Sequence, residues 1–280
     1  MKRSVYIILL LACLGFGGWW FSNSQSNVRD AIDQYVGNGE LLTFKARFTA
    51  DQIMEKQRHH LLADDQHTFR EPVVKFYPYL LIETKYAYPD KKTREGIMLW
   101  GLVDGEIVLN TETWEQTHGF EDAIVANASA NDFKVMKVLA KHQKGLTRDQ
   151  LQNELHLDEE TLNPWINSAR QKQLVVLAGD EFQLHFQDPK ILVYPQTQMK
   201  EDFVTKPYHY SQCVSRKYSR NQIEKTAEAA FGSALTLRNV SEVFLPVHCL
   251  EVLNPDGSIL TSYWNALTGQ RILQNKRSPA

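Results

Sequence analysis

The chain has 280 residues, 43% of them hydrophobic and 23% charged, with 31 basic side chains against 33 acidic ones. Those values exclude wholesale disorder, collagen-like repeats and a polytopic membrane protein. The formal charge of −2 supplies no basic surface for non-specific nucleic-acid binding, and three cysteines are too few for a disulfide scaffold.

At the N-terminus, Lys2 and Arg3 precede an almost uncharged run over residues 5–21, closed by Ser22-Asn23-Ser24. Residues 1–24 therefore read as a signal anchor or transmembrane helix, with Trp19-Trp20 at the membrane interface. Leu10-Leu11-Ala12-Cys13 also resembles a lipobox, which makes Cys13 a candidate for lipidation, and cleavage after Ser24 is the third reading. In all three the positive N-terminus stays inside and the rest of the chain lies outside the cytoplasm, on the periplasmic or extracellular face. Membrane lipid is then the partner of residues 5–21.

A first folded unit is expected over 40–112. A strand over Leu41–Arg47 leads to Phe48-Thr49-Ala50-Asp51-Gln52-Ile53, where Thr49 and Gln52 form a capping box stapled by Phe48 and Ile53. Phe76-Tyr77-Pro78, with Glu83 five residues on, opens a strand rich in aromatic and branched residues. Pro89-Asp90 turns the chain, Trp100 lies five residues before Gly105, and Val103-Asp104-Gly105 reads as a tight hairpin turn before Val108-Leu109.

Beyond a short helix from Phe120 to Ala126 and a linker at Asn127–Asn131, the period becomes helical. Phe133, Met136, Val138 and Leu139 form one face of a helix and Lys134, Lys137, Lys141 and Lys144 another. Thr147 caps a second helix. A third runs from about Glu159 to Gln173, with Pro164 bending it or marking a restart capped by Asn163. Leu174–Leu177 and Phe182–Phe186 then read as a hairpin. Three short helices and a hairpin in this order resemble a winged helix over 132–187.

In that family the third helix enters a DNA groove. Here residues 158–188 hold two basic side chains, Arg170 and Lys172, against Asp158, Glu159, Glu160, Asp180, Glu181 and Asp188. Acid stands where phosphates would approach, so no nucleic-acid partner is expected. Residues 188–206 read as an extended linker.

The second unit, over 207–276, repeats the first. An extra strand over Tyr208–Lys217 precedes Tyr218-Ser219-Arg220-Asn221-Gln222-Ile223, which matches the first capping box. Phe244-Leu245-Pro246 with Glu251, Pro255-Asp256, Trp264, Gly269 and Ile272-Leu273 follow in the order and at nearly the spacing of their counterparts. The fold class expected is α+β: an N-terminal transmembrane helix, then two duplicated α-βββ meander units flanking the winged-helix-like module. A helix plus three strands, with a turn glycine before the last strand, resembles the PepSY-type modules of secreted and membrane-anchored proteins. That resemblance implies a small non-catalytic module that binds or inhibits other proteins at the cell envelope.

No HExxH, GxSxG, Walker loop or GxGxxG occurs. The adjacent pairs His59-His60 and His248-Cys249 face opposite ways on their elements. No catalytic residue, metal site or cofactor is expected. Cys213 and Cys249 are candidates for a disulfide outside the cytoplasm. Phe76, Pro78, Tyr79, Glu83, Phe244, Pro246 and Glu251 recur between the units and are the candidates for grooves that hold a partner. The chain thus reads as a membrane-anchored, non-enzymatic protein-binding or scaffold protein of the envelope with an unidentified protein partner. The alternative is a membrane-bound winged-helix transcription regulator of reverse topology, with its C-terminal part in the cytoplasm.

Overall fold

The computed structural model describes residues 39–272, apart from positions 63, 65, 89, 143, 208, 210 and 211. The expected anchor over 1–24, Cys13, Tyr208 and the chain after Ile272 lie outside the described residues. No helix among the described residues is long and apolar enough to cross a membrane.

The architecture is mixed α+β, with a ten-stranded curled sheet, a two-stranded hairpin and six α-helices among the described residues. In chain order the elements are β1 (Glu40–Phe44), α1 (Ala50–Leu61), β2 (Thr68–Phe69), β3 (Val73–Ala87), β4 (Thr93–Gly101), β5 (Ile107–Asn110) and β6 (Glu115–Gln116). Four helices follow, α2 (Phe120–Val125), α3 (Ala130–Ala140), α4 (Arg148–Leu155) and α5 (Glu159–Gln171), then the hairpin β7 (Val175–Ala178) and β8 (Glu181–Leu184). The described residues close with β9 (Phe203–Pro207), α6 (Arg220–Phe231), β10 (Leu235–Leu253), β11 (Ile259–Asn265) and β12 (Arg271–Ile272).

The sheet runs β12-β11-β10-β3-β4-β5-β6, so two meanders meet through their long first strands, antiparallel. Phe76 pairs with Pro246 and Pro78 with Phe244, about a centre at Tyr77 and Leu245. Proline inside a central strand removes a ladder donor. Both prolines stand where a neighbour changes. Pro78 O accepts from Leu102 N at the end of β4, while two residues back Phe76 pairs with Cys213. Likewise Pro246 O accepts from Ala266 N just past β11, while Phe244 pairs with Thr43 of β1. A strand residue points its N–H and C=O to the same side, so each missing N–H faces a junction between two strands.

Each helix lies on the other meander. Arg47 and Phe48, leading into α1, donate to Ala266 O at 2.9 Å each, whereas Lys217 and Tyr218, leading into α6, donate to Leu102 O at 2.8 and 3.0 Å. Ile53 and Leu61 of α1 pack with Leu250, Val252 and Trp264. Tyr218 and Ile223 share a core with Leu80, Ile82, Met98 and Trp100. Both helices carry the expected capping box, Thr49 with Gln52 and Ser219 with Gln222, each cap worth about 1 kcal/mol.

Within the helical segment, Leu146 and Phe182 exchange backbone hydrogen bonds of 3.0 and 2.7 Å, adding a third strand position to the β7–β8 hairpin. No restart occurs at Pro164: α5 is continuous from its cap Asp158, and Asn163 caps nothing. Pro164 is exposed early in the helix, where water can take the carbonyl freed one turn back. Fully buried Asp132 ties α3 to α5 by accepting from Ser168 Oγ (2.9 Å) and Lys172 Nζ (2.6 Å). Lys137, from the lysine face of α3, donates to Ala230 O at the end of α6 and lies over the Phe231 ring.

Residues 188–206 are bound along the sheet rather than crossing solvent. Lys190 pairs with His118, Gln198 with Asn110, and β9 with β1. Buried Thr197 receives Leu99 N and donates to Val108 O. The hydroxyl thereby supplies ladder bonds that a polar linker reading does not foresee.

Candidate functional site

Most of the recurring residues are interior. Phe76, Pro78, Phe244 and Pro246 are buried at the centre of the sheet. Glu83 is exposed on β3, and Glu251 forms an ion pair with Arg70 at 3.0 Å. No disulfide joins Cys213 and Cys249. Burial pushes the Cys249 thiol pKa up. Tyr79 of this set lines a cleft.

That cleft, of about 480 Å³, is walled by the β4–β5 turn, the loop around β6, the start of α2 and the segment before α6. Its aromatic side is Tyr77, Tyr79 and Trp114. The Trp114 indole meets the Tyr79 ring edge-on at 5.5 Å and the Phe44 ring at 6.0 Å. Trp114 adopts a φ of 56°, a left-handed conformation uncommon for a bulky side chain. Burial raises the Tyr79 phenol pKa well above its usual value.

The acidic side begins at the Gly105 turn. Asp104 accepts from Gln116 Nε2 (2.6 Å) and from Glu106 N (3.2 Å). Burial raises its pKa, against the effect of those hydrogen bonds, and the nearby Glu121 charge adds to the rise. Glu106 is buried and accepts from Thr117 Oγ1 (2.6 Å) and from the amides of Gly119, Phe120 and Glu121 (2.9, 3.3 and 3.0 Å). It caps α2 from another element, because a β-carbon on Gly119 would lie about 2.4 Å from the Phe186 ring. Burial still raises the Glu106 pKa. At the rim, Glu121 Oε1 accepts from Lys217 Nζ (2.7 Å) and Tyr218 Oη (3.0 Å). The Glu121 bond raises the lysine pKa, and burial pushes the Tyr218 phenol up to about 12.

Chemically, this arrangement is suited to holding a group. Glu106 has its oxygens filled by four donors, and the Tyr79 phenol is far from ionising at neutral pH. Among the described residues no group of three or more His, Cys, Asp or Glu is placed to hold a metal ion.

Trp114 and Gln116 fall in a stretch to which the sequence assigns no element, and Glu121 and Asp122 in the expected short helix from Phe120 to Ala126, which carried no site expectation. One signal for the cleft was present. Under the correspondence that relates the two Gly turns, Asp104 matches Thr268 and Glu106 matches Gln270. Val214 matches Phe44, whose buried ring fills the equivalent space among Leu245, Val247 and Leu267. The acids of the cleft therefore have no counterpart in sequence at the Gly269 turn. No known protein family, curated protein or solved structure matches this chain.

Proposed function

We propose that this chain is a membrane-anchored, extracytoplasmic binding or scaffold protein of the cell envelope, acting without catalysis and receiving a protein partner at the Tyr79–Trp114–Asp104 cleft. The observation that carries the reading is the cleft's asymmetry. Corresponding turns at Gly105 and Gly269 have φ of 72° and 67°, yet among the described residues only the first is lined by acids and open aromatic rings. A turn that folds equally well with Thr268 does not require Asp104, so that acid is a property of the site, whereas Glu106 also serves the fold by capping α2.

In this reading the exterior is two duplicated α-βββ units, 40–112 and 207–276, that exchange their helices and flank a winged-helix-like module. Anchoring rests on the apolar run at 5–21 beside Lys2 and Arg3. A nucleic-acid role is disfavoured by charge. Of the two basic residues over 158–188, Lys172 is engaged with Asp132, which leaves exposed Arg170 at one end of α5 and exposed Glu159 and Glu160 at the other.

Two experiments test the reading. A photoreactive residue at position 122, on the cleft wall, is expected to crosslink a protein in intact cells, and no crosslink there while the protein is folded sinks the binding role. Reporter fusions after Ala280 test the topology. An outside-active reporter supports the envelope, whereas cytoplasmic fluorescence overturns it in favour of the membrane-bound transcription regulator.

A further inference from the structure

We infer that the cleft takes an organic cation on an aliphatic stem, as a lysine or arginine side chain of the partner presents it. The inference rests on the binding reading of the cleft and names its ligand class.

Charge is the first support. Asp104, Glu106, Glu121 and Asp122 line the cleft against Lys217. Glu106 is filled by backbone amides and a hydroxyl, and Glu121 is neutralised by Lys217. Asp104 accepts from neutral donors, an amide side chain and a backbone N–H. A carboxylate partly stripped of water and lacking a positive partner gains most from a cation brought by a ligand.

Shape and aromatic character narrow the class. Tyr77, Tyr79 and Trp114 offer apolar contact for a methylene stem and ring surface for a cation. The volume of about 480 Å³ accommodates one long side chain and not a folded domain. The rim already holds a working pair of this kind. Lys217 Nζ sits 2.7 Å from Glu121 and 5.1 Å from the Tyr218 ring centroid. In the other half Arg47 takes the Lys217 position but turns to Glu201, at 2.8 Å, and Phe44 closes the space.

The test is calorimetric titration of the full chain in detergent micelles with Nα-acetyl-lysine methylamide. Nα-acetyl-norleucine methylamide serves as the neutral isostere and 1,5-diaminopentane as a free amine. Saturable binding of the lysine probe, at least tenfold tighter than norleucine and weakened at least tenfold by Asp104→Asn, is the expected result. Equal binding of norleucine, no binding of either, or indifference to D104N in a variant with unchanged circular dichroism overturns the inference. Tighter binding of diaminopentane than of the lysine probe overturns the side-chain source. A crosslink at position 122 without lysine binding removes the cation while leaving the binding role. Lysine binding without any crosslink does the reverse.

Discussion

An oxygen of Asp104 occupies the place of a side chain on Gly101: a β-carbon built there would lie 1.9 Å from Asp104 Oδ1. In the other half the corresponding pair is Asn265 and Thr268, and Asn265 Oδ1 accepts from Leu267 N and Thr268 N. The acid at the cleft thus requires the missing side chain at the end of β4. Gly101→Ala is expected to cost about 1–3 kcal/mol in the wild-type background and much less beside Asp104→Ala. A urea double-mutant cycle measures this coupling, and additive effects contradict it.

Asp104→Asn is expected to raise the melting temperature at pH 7. Burial raises the folded-state pKa of Asp104 above its ordinary value. The ionised form therefore opposes folding above that pKa, and the opposition fades as pH falls through it. Melting curves of the two proteins should converge in acid, and a gap that widens there contradicts the assignment.

Glu106→Ala removes the acceptor of three amides and a hydroxyl at the start of α2. The expected cost is about 2–4 kcal/mol, because those donors lose their partner in a water-poor place. Glu106→Gln should cost less, since one oxygen remains. Faster hydrogen exchange at Gly119, Phe120 and Glu121 locates the effect.

The Asp132–Lys172 pair has the opposite pH signature. Burial tends to raise the Asp132 pKa, but Lys172, Ser129 and Ser168 outweigh it and leave the carboxyl below its usual range. Its contribution is complete above the unfolded-state pKa and is lost as pH falls through the folded-state value. Asp132→Ala should cost about 1.5–3 kcal/mol at pH 7, because Ser129, Ser168 and the partly exposed Lys172 lose a charged acceptor. Thermal unfolding between pH 7 and pH 3 should be steeper for wild type than for Lys172→Met.

Local chemistry made the helix starts and the turns legible. Thr49, Ser219 and Thr147 with their glutamines, and the glycines at 105 and 269, act within three or four residues and are found where the sequence marks them. The exchange of α1 and α6 was not legible, because hydrophobic spacing says which face of a helix is apolar and nothing about which strands meet it. β9 was hidden in a polar stretch whose buried contacts come from a single threonine and a few apolar residues. Half of the cleft was written in the Asp104 and Glu106 positions. The other half, Trp114 and Gln116, arrives through a loop with no periodicity.

Crossing the helices between halves also has a consequence in time. Phe48 finds its acceptor, Ala266 O, 218 positions later in the chain. At roughly 5–20 residues per second of synthesis, that interval lasts about 10–40 s. Throughout it α1 has no surface to dock on, and β3 waits with one edge unpaired until β10 arrives. The two meanders therefore stay unjoined until β10 and β11 have been made, which leaves α1 and the free edge of β3 open to proteolysis if those strands are delayed.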